Sequence, residues 1–227
     1  MKKIILTALL LLAAVSFAQS VSSVILVSDI TSVDMLIAKA AGEKTGMPVL
    51  VLPDGALNDE IRTQLTSLGV KTIVLVGGPS VIKEATQTEL EVKYSVVRLW
   101  GHERTGTAVE VAKYFWNGGA NCVVIADDTK DSTHDTEVQI EASESASSSG
   151  CPFLPVPKGT MPAEVLDVIN SLGIKEAKFV GRELSGEFRI KLAKLKLKEI
   201  IGNRDEIEDD IDDEEAKIVR DIFKTYR

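Results

Sequence analysis

The sequence predicts an α/β protein built as two tandem homologous units, each a parallel sheet flanked by helices. The first observation behind this is an internal repeat. Residues 47–77 (MPVLVLPDGALNDEIRTQLTSLGVKTIVLVG) and 151–181 (CPFLPVPKGTMPAEVLDVINSLGIKEAKFVG) align without a gap at an offset of 104, with 11 identities in 31 positions. Pro48, Pro53, Gly55, Gly69 and Gly77 each meet the same residue type, and Ile61, Leu65 and Val70 meet Val165, Ile169 and Ile174. Shared turn glycines, prolines and apolar positions are what two copies of one supersecondary unit retain. The second observation is the alternation of short β-branched runs with segments of helical spacing. The third is their βαβα order, which implies parallel strands crossed over by helices.

In chain order, Val24-Ile25-Leu26-Val27, Val49-Leu50-Val51-Leu52, Thr72-Ile73-Val74-Leu75-Val76 and Val96-Val97-Arg98-Leu99 read as buried parallel strands. Between them, Val33, Leu36, Ile37 and Ala40 have helical spacing. So do Leu57, Ile61, Leu65 and Leu68, with Gly69 as the C-terminal cap. A third helical segment is expected from near Ser80. The second unit repeats the scheme, with strands expected near 122–126, 152–156, 177–181 and 195–201. Its last helix, about 206–226, aligns Ile207, Ile211, Ile218, Ile222 and Tyr226 on one face. The junction near Asn117-Gly118-Gly119-Ala120 is short, so the two units are expected to touch.

The first residues bear on where the protein works. Lys2 and Lys3 precede an apolar run from Ile4 to Val15, and Ser16-Phe17-Ala18 supplies small residues at the positions a signal peptidase reads. The run is too short to span a bilayer, which needs about 20 apolar residues. The expectation is a secretory signal over 1–18, cleaved before Gln19, with no transmembrane segment left afterwards. The units then occupy 19–117 and 118–227. Cleavage removes two lysines and no acid, taking the formal charge from −8 to −10. An acidic chain argues against nucleic acid or anionic lipid as the main partner.

The two cysteines of an exported chain suit a disulfide better than a metal site. Cys122 and Cys151 both open consecutive strands of one unit, and parallel neighbours would bring those starts within bridging distance.

Several motifs resemble the cell wall-binding repeat family (type 2 repeat) of bacterial and archaeal surface-layer and cell-envelope proteins. They are Asp34-Met35-Leu36 ahead of Ala38, the turn Val76-Gly77-Gly78, and Gly101-His102-Glu103-Arg104-Thr105-Gly106-Thr107-Ala108 after a strand. The resemblance covers 23–116 well and 121–226 more loosely. Thr105 stands where the family usually has Tyr, Glu103 where it has Asp or Asn, and Arg182 follows Val180-Gly181 in place of a second glycine. The resemblance implies Rossmann-like or Toprim-like units, usually set in threes, whereas this chain shows two. It also implies noncatalytic attachment to a cell-envelope polysaccharide or surface-layer protein, at the cell surface, with no cofactor.

Binding residues are expected on two strand-end loops, Gly101 to Thr107 and Asp29 to Asp34. Arg104 is the leading contact, because a guanidinium presents fixed donors to a phosphate, carboxylate or sugar hydroxyl. A purely structural role, pairing Arg104 with Glu103 or Glu110, is the alternative. Gly77-Gly78-Pro79-Ser80 could offer backbone N–H groups to an anion. Its simpler reading is a tight turn with Ser80 as helix cap; no Gly-x-Gly-x-x-Gly or Gly-Lys-Ser/Thr phosphate loop accompanies it.

Asp127, Asp128 and Asp131 follow a strand of the second unit and could hold calcium, although the glycine and closing glutamate of a calcium loop are missing. A metal-dependent or nucleotide-binding α/β enzyme is accordingly the more distant alternative, as two histidines leave little material for triad chemistry. A nearer alternative is a self-assembling subunit of a lattice or filament. Basic 189–198 and acidic 205–215 could meet head to tail between copies, or could simply be solvated faces.

Overall fold

The computed structural model describes residues 22–128, 133–181 and 199–201. Two parallel four-stranded sheets follow one another along the chain. The first contains β1 (Ser23–Ser28), β2 (Val49–Leu52), β3 (Thr72–Val76) and β4 (Ser95–Leu99), in the order β2-β1-β3-β4. The second contains β5 (Cys122–Asp128), β6 (Phe153–Pro157), β7 (Glu176–Val180) and β8 (Glu199–Ile201), in the order β6-β5-β7-β8. Helices α1 (Ser32–Thr45), α2 (Asp59–Ser67) and α3 (Glu84–Glu91) connect the first four strands. Then α4 (Arg104–Phe115) leads to the second sheet, where α5 (Thr133–Ser149) and α6 (Ala163–Ser171) repeat α1 and α2.

Thr72 pairs with Ser95 and Glu176 with Glu199, each residue 104 further on, so the repeat keeps strand register as well as topology. Gly77 and Gly181 share a φ of 124° after the third strand of each sheet, a backbone state that L side chains rarely adopt. Before β2 and β6 the two copies fall out of step. Ile25 pairs with Val49 and Val124 with Phe153, so the segment between the first two strands is five residues longer in the second unit.

Residue parity along the strands decides which core each side chain enters. Val24, Leu26, Ile73 and Leu75 pack with Ile61, Leu65 and Leu90 of α2 and α3. Ile25, Val27, Val74 and Val76 face the other way, with Val33 and Ile37 of α1. That second core does not stop at the first unit. It runs through Ala108, Val111, Ala112 and Trp116 of α4 into Phe153, Val165 and Val168 of the second unit. Chain order assigns α4 to the first unit, yet it packs on β6 and α6 of the second, while α1 packs on α5 and β6. The seam is therefore a hydrophobic core in its own right.

Two local expectations change. The third helix starts at Glu84, not near Ser80, and its first flanking residue is Lys83. Residues 78–82 form a turn instead, with the Val81 and Ile82 amides bonded to the Gly78 carbonyl, so Ser80 does not cap a helix. Fixed φ at Pro79, directly after Gly78, suits such a turn. By contrast Asn58, which starts α2, accepts from the Ile61 amide at 2.9 Å in the ordinary capping manner. The last strand is described over 199–201. The expected strand residues 195–198, the helix at 206–226 and both charge runs lie outside the described residues, apart from that short strand. Among the described residues no helix is long and apolar enough to cross a membrane.

Candidate functional site

The carboxyl ends of β1, β3 and β4 open into a cleft of about 370 Å³ whose wall includes Thr31, Asp34, Gly78, Trp100, Arg104 and Thr107. It lies where open α/β sheets take their ligands, because loops there are free of the sheet's hydrogen-bonding demands. The Gly101–Thr107 loop closes on itself. A side chain on Gly101 would meet the carbonyl carbon of Gly106 at 2.3 Å, so the two glycines allow backbone to rest on backbone. The Gly101 amide then donates to Thr107 Oγ1 at 3.2 Å. This pins the start of α4 and with it Arg104.

Arg104 pairs neither with Glu110, which binds Lys113, nor only within its own loop. Its Nη1 donates to Asp128 Oδ1 at 2.8 Å, across the seam at the end of β5. Gln139 Nε2 reaches the same oxygen at 3.2 Å. Asp128 is buried, whereas the Arg104 side chain is 32% exposed and lines the cleft. Arg104 thus has one side fixed by protein and another at the ligand side, the arrangement that preorganises a guanidinium for an oxygen-rich partner.

Asp34 sits in the first turn of α1 and is 5% exposed. Its Oδ2 accepts from Thr31 Oγ1 at 2.7 Å, while its Oδ1 is buried without a hydrogen-bond partner. Burial pushes the Asp34 carboxyl above the usual range, and the Thr31 hydroxyl and the Arg104 charge offset only part of that. Asp29 has a different task. Its Oδ1 accepts from the Asp54 amide at 2.8 Å and holds Asp54 at a φ of 51°.

Gly77 and Gly78 are structural in distinct ways. The Gly77 amide donates to the Leu99 carbonyl at 3.0 Å, so it is not free to meet an anion. The Gly77 carbonyl accepts from Arg98 Nε at 3.0 Å. Gly78 carries the Trp100 indole: a Cβ at Gly78 would lie 3.1 Å from Trp100 Cε3. Trp100 remains 46% exposed at the cleft. Neither Trp100 nor Arg98 is among the residues that the sequence pattern marks for the site. An indole set between a strand end and a polar glycine loop was a usable signal for Trp100; nothing in the sequence shows that Arg98 ties β4 back to the Gly77 turn.

Of the expected metal ligands, Asp128 is engaged by Arg104 and Gln139, Asp127 also has an interaction partner, and Asp131 lies outside the described residues. Among the described residues no group of three or more His, Cys, Asp or Glu is gathered as a metal site would need. Cys122 and Cys151 form a disulfide with Cα atoms 5.3 Å apart, tying the start of β5 to the residues just before β6.

Comparison with known proteins places the fold. No family model matches the chain. It is 30% identical over 185 residues to an uncharacterized protein of Pyrococcus abyssi, covering 78% of this chain and 54% of that one. It is 26% identical over 153 residues to an uncharacterized protein of Pyrococcus horikoshii, covering 66% of this chain and 45% of the other. The chain spans about half the length of the curated relatives it matches. Among solved structures, Cwp6 from Clostridium difficile superposes with a TM-score of 0.67 at 18% identity, over 77% of this chain and 27% of Cwp6. Cwp8 from the same organism gives 0.64 at 22% identity, over 82% and 31%. The two-unit α/β fold is thus one that solved proteins share.

Proposed function

We propose that the protein is a secreted, noncatalytic cell-envelope binding module of the cell wall-binding repeat type, attaching to an envelope polysaccharide or surface-layer protein. The observation that carries this reading is the strand-end cleft in which Arg104, braced by Asp128, stands beside an exposed indole and the Thr107 hydroxyl. Such a set suits noncovalent recognition, with charge-assisted hydrogen bonds from the guanidinium and an apolar face for a sugar ring or side chain. The fold shared with Cwp6 and Cwp8 of C. difficile is compatible with this reading, and the repeat-family motifs and the signal-like residues 1–18 support it. The disulfide is in keeping with an oxidising compartment. A calcium-binding role for Asp127 and Asp128 is a weaker reading, since Arg104 already occupies Asp128.

The test is co-sedimentation with fractionated cell envelopes. Trp100→Ala removes an exposed ring that contributes little to the core, so it should lower retention roughly tenfold while leaving the melting temperature nearly unchanged. Arg104→Ala should lower it at least as far, with some loss of stability because buried Asp128 keeps the Gln139 hydrogen bond but loses its counter-charge. Salt should weaken attachment where the polymer is anionic. Envelope retention that both variants leave intact would remove the cleft from the binding role.

A further inference from the structure

We propose that the Arg104 cleft takes an uncharged sugar residue of a polysaccharide, held through its hydroxyls and its ring face, and not an anionic group. This rests on the envelope-binding reading and names the class of ligand within it. The cleft, at about 370 Å³, stands near the low end of the roughly 300–1,000 Å³ typical of small-ligand sites. A space of that order suits a sugar ring, whereas a protein partner is met by a broad patch of roughly 800 Å² a side.

The charges of the wall do not favour an anion. Arg104 is its one lysine or arginine among the described residues, and Asp128 already meets that guanidinium at 2.8 Å. Asp128 is buried, so water and salt screen this pair little. The other ionisable groups of the wall are His102 and two acids, Asp34 and Glu103. Burial favours the uncharged form of Asp34. No surplus of positive charge is left to attract a phosphate or carboxylate, and the chain as a whole has a formal charge of −8.

Backbone donors that an anion would need are also spent. The Gly77 amide is on the Leu99 carbonyl, the Val81 and Ile82 amides are on the Gly78 carbonyl, and the Gly101 amide is on Thr107 Oγ1. The amino end of α4 favours negative charge, but it begins beside Glu103, itself an acidic residue of the wall.

What the wall offers instead is a mixture of donor and acceptor. Thr31 gives its hydroxyl proton to Asp34 at 2.7 Å, so its oxygen accepts from a ligand. The Arg104 guanidinium has N–H groups besides the Nη1 donor on Asp128, and these donate. A sugar hydroxyl donates and accepts at once and satisfies both. An ionised carboxylate or phosphate oxygen only accepts, and would set lone pair against lone pair at Thr31. Trp100, 46% exposed and resting on Gly78, adds a flat apolar surface for the C–H face of the ring.

Co-sedimentation of the full-length protein with fractionated envelopes tests this, with polysaccharide released from the same envelopes as competitor. The released material is divided on an anion exchanger into an uncharged fraction, which flows through, and an anionic fraction, which is held. At equal sugar content the uncharged fraction should displace the protein roughly tenfold better. Retention should hold within about twofold from about 0.1 to about 1 M salt, over which the screening length falls from about 10 to about 3 Å. Arg104→Lys keeps the charge and loses the planar fork of donors, so retention should still fall roughly fivefold at a nearly unchanged melting temperature. Displacement chiefly by the anionic fraction, attachment that salt weakens roughly fivefold or more, or full retention by Arg104→Lys would overturn the uncharged-sugar inference and leave the envelope reading standing. Displacement by neither fraction would point to a protein partner and overturn the inference as well. A wild type that envelopes do not retain, or retention that Trp100→Ala and Arg104→Ala both leave intact, would overturn the envelope reading of the cleft and this inference with it.

Discussion

The first and second units have the same topology, register and turn geometry, yet they differ at the positions that bear on chemistry. Asp34, buried against the Gly77 turn, is matched by Val138 against the Gly181 turn, and each is the nearest helix side chain to its glycine from that segment. Where the first unit has a short Asp29-to-Thr31 loop, the second has a segment five residues longer that carries the acidic cluster. Where the second unit has a disulfide, the first has no cysteine. The difference teaches that backbone geometry in a repeat is held by glycines and apolar parity, which both copies need, whereas a cleft is needed only once. It also shows that the cleft is not the property of one unit, since Arg104 from the first is braced by Asp128 and Gln139 from the second.

The largest expected effect comes from breaking the seam that joins the units. Trp116 is 2% exposed, and its Nε1 donates to the Gly150 carbonyl at 2.8 Å, so Trp116→Ala opens a large cavity between them. It should cost about 3–5 kcal/mol. Calorimetry should change from one transition to two as the units uncouple; a single transition at an unchanged temperature would show that the shared core does not couple them.

Reduction separates the units next. The disulfide closes a span of 29 residues, for which the chain-entropy argument gives about 3–4 kcal/mol. Cys122→Ser/Cys151→Ser should raise amide exchange in β5 and β6 while sparing β1 and β2. Equal loosening of both sheets would mean that the bridge stabilises the whole assembly and not one copy of the fold.

The smallest effect concerns the Asp34 and Val138 pair of positions. Folding raises the Asp34 pKa, so the native state holds that proton more firmly than the unfolded chain does. Stability from this group is therefore present below the ordinary carboxylate range and lost as pH rises through the folded value. Asp34→Asn should accordingly melt slightly above the wild type at neutral pH, with the advantage disappearing under acid. Melting curves whose difference does not change with pH would show that Asp34 does not titrate between those limits.

Much of this architecture is visible in the residues themselves. β3 occupies the stretch 72–76 read from the sequence, because a parallel strand buried on both faces requires an unbroken apolar run, and β2 occupies 49–52 although Val51 on one of its faces is exposed. The repeat at offset 104 also marks the equivalence of β6, α6 and β7 with β2, α2 and β3, because both copies turn with positive φ at the same places, on Gly55, Gly69 and Gly77 and on Gly159, Gly173 and Gly181, where glycine is favoured. The start of α3 was not legible, since a proline, a serine and helix-forming residues after a glycine pair suit either a capped helix or a turn. Trp100 was missed because exposure is not written in a residue's type.

Sequence by itself determined the local order of elements, their parity and the doubled plan, all of which depend on contacts within a few tens of residues. Only the tertiary structure decided that α4 packs on α1 of its own unit and on β6 of the other, that Arg104 meets Asp128 rather than Glu110, and that Val51 of β2 is exposed while β6 is covered. Those outcomes depend on how one unit is set against the other. That setting is fixed by side chains from distant segments meeting in one core, and no local pattern in the chain encodes which distant partner fills a given face.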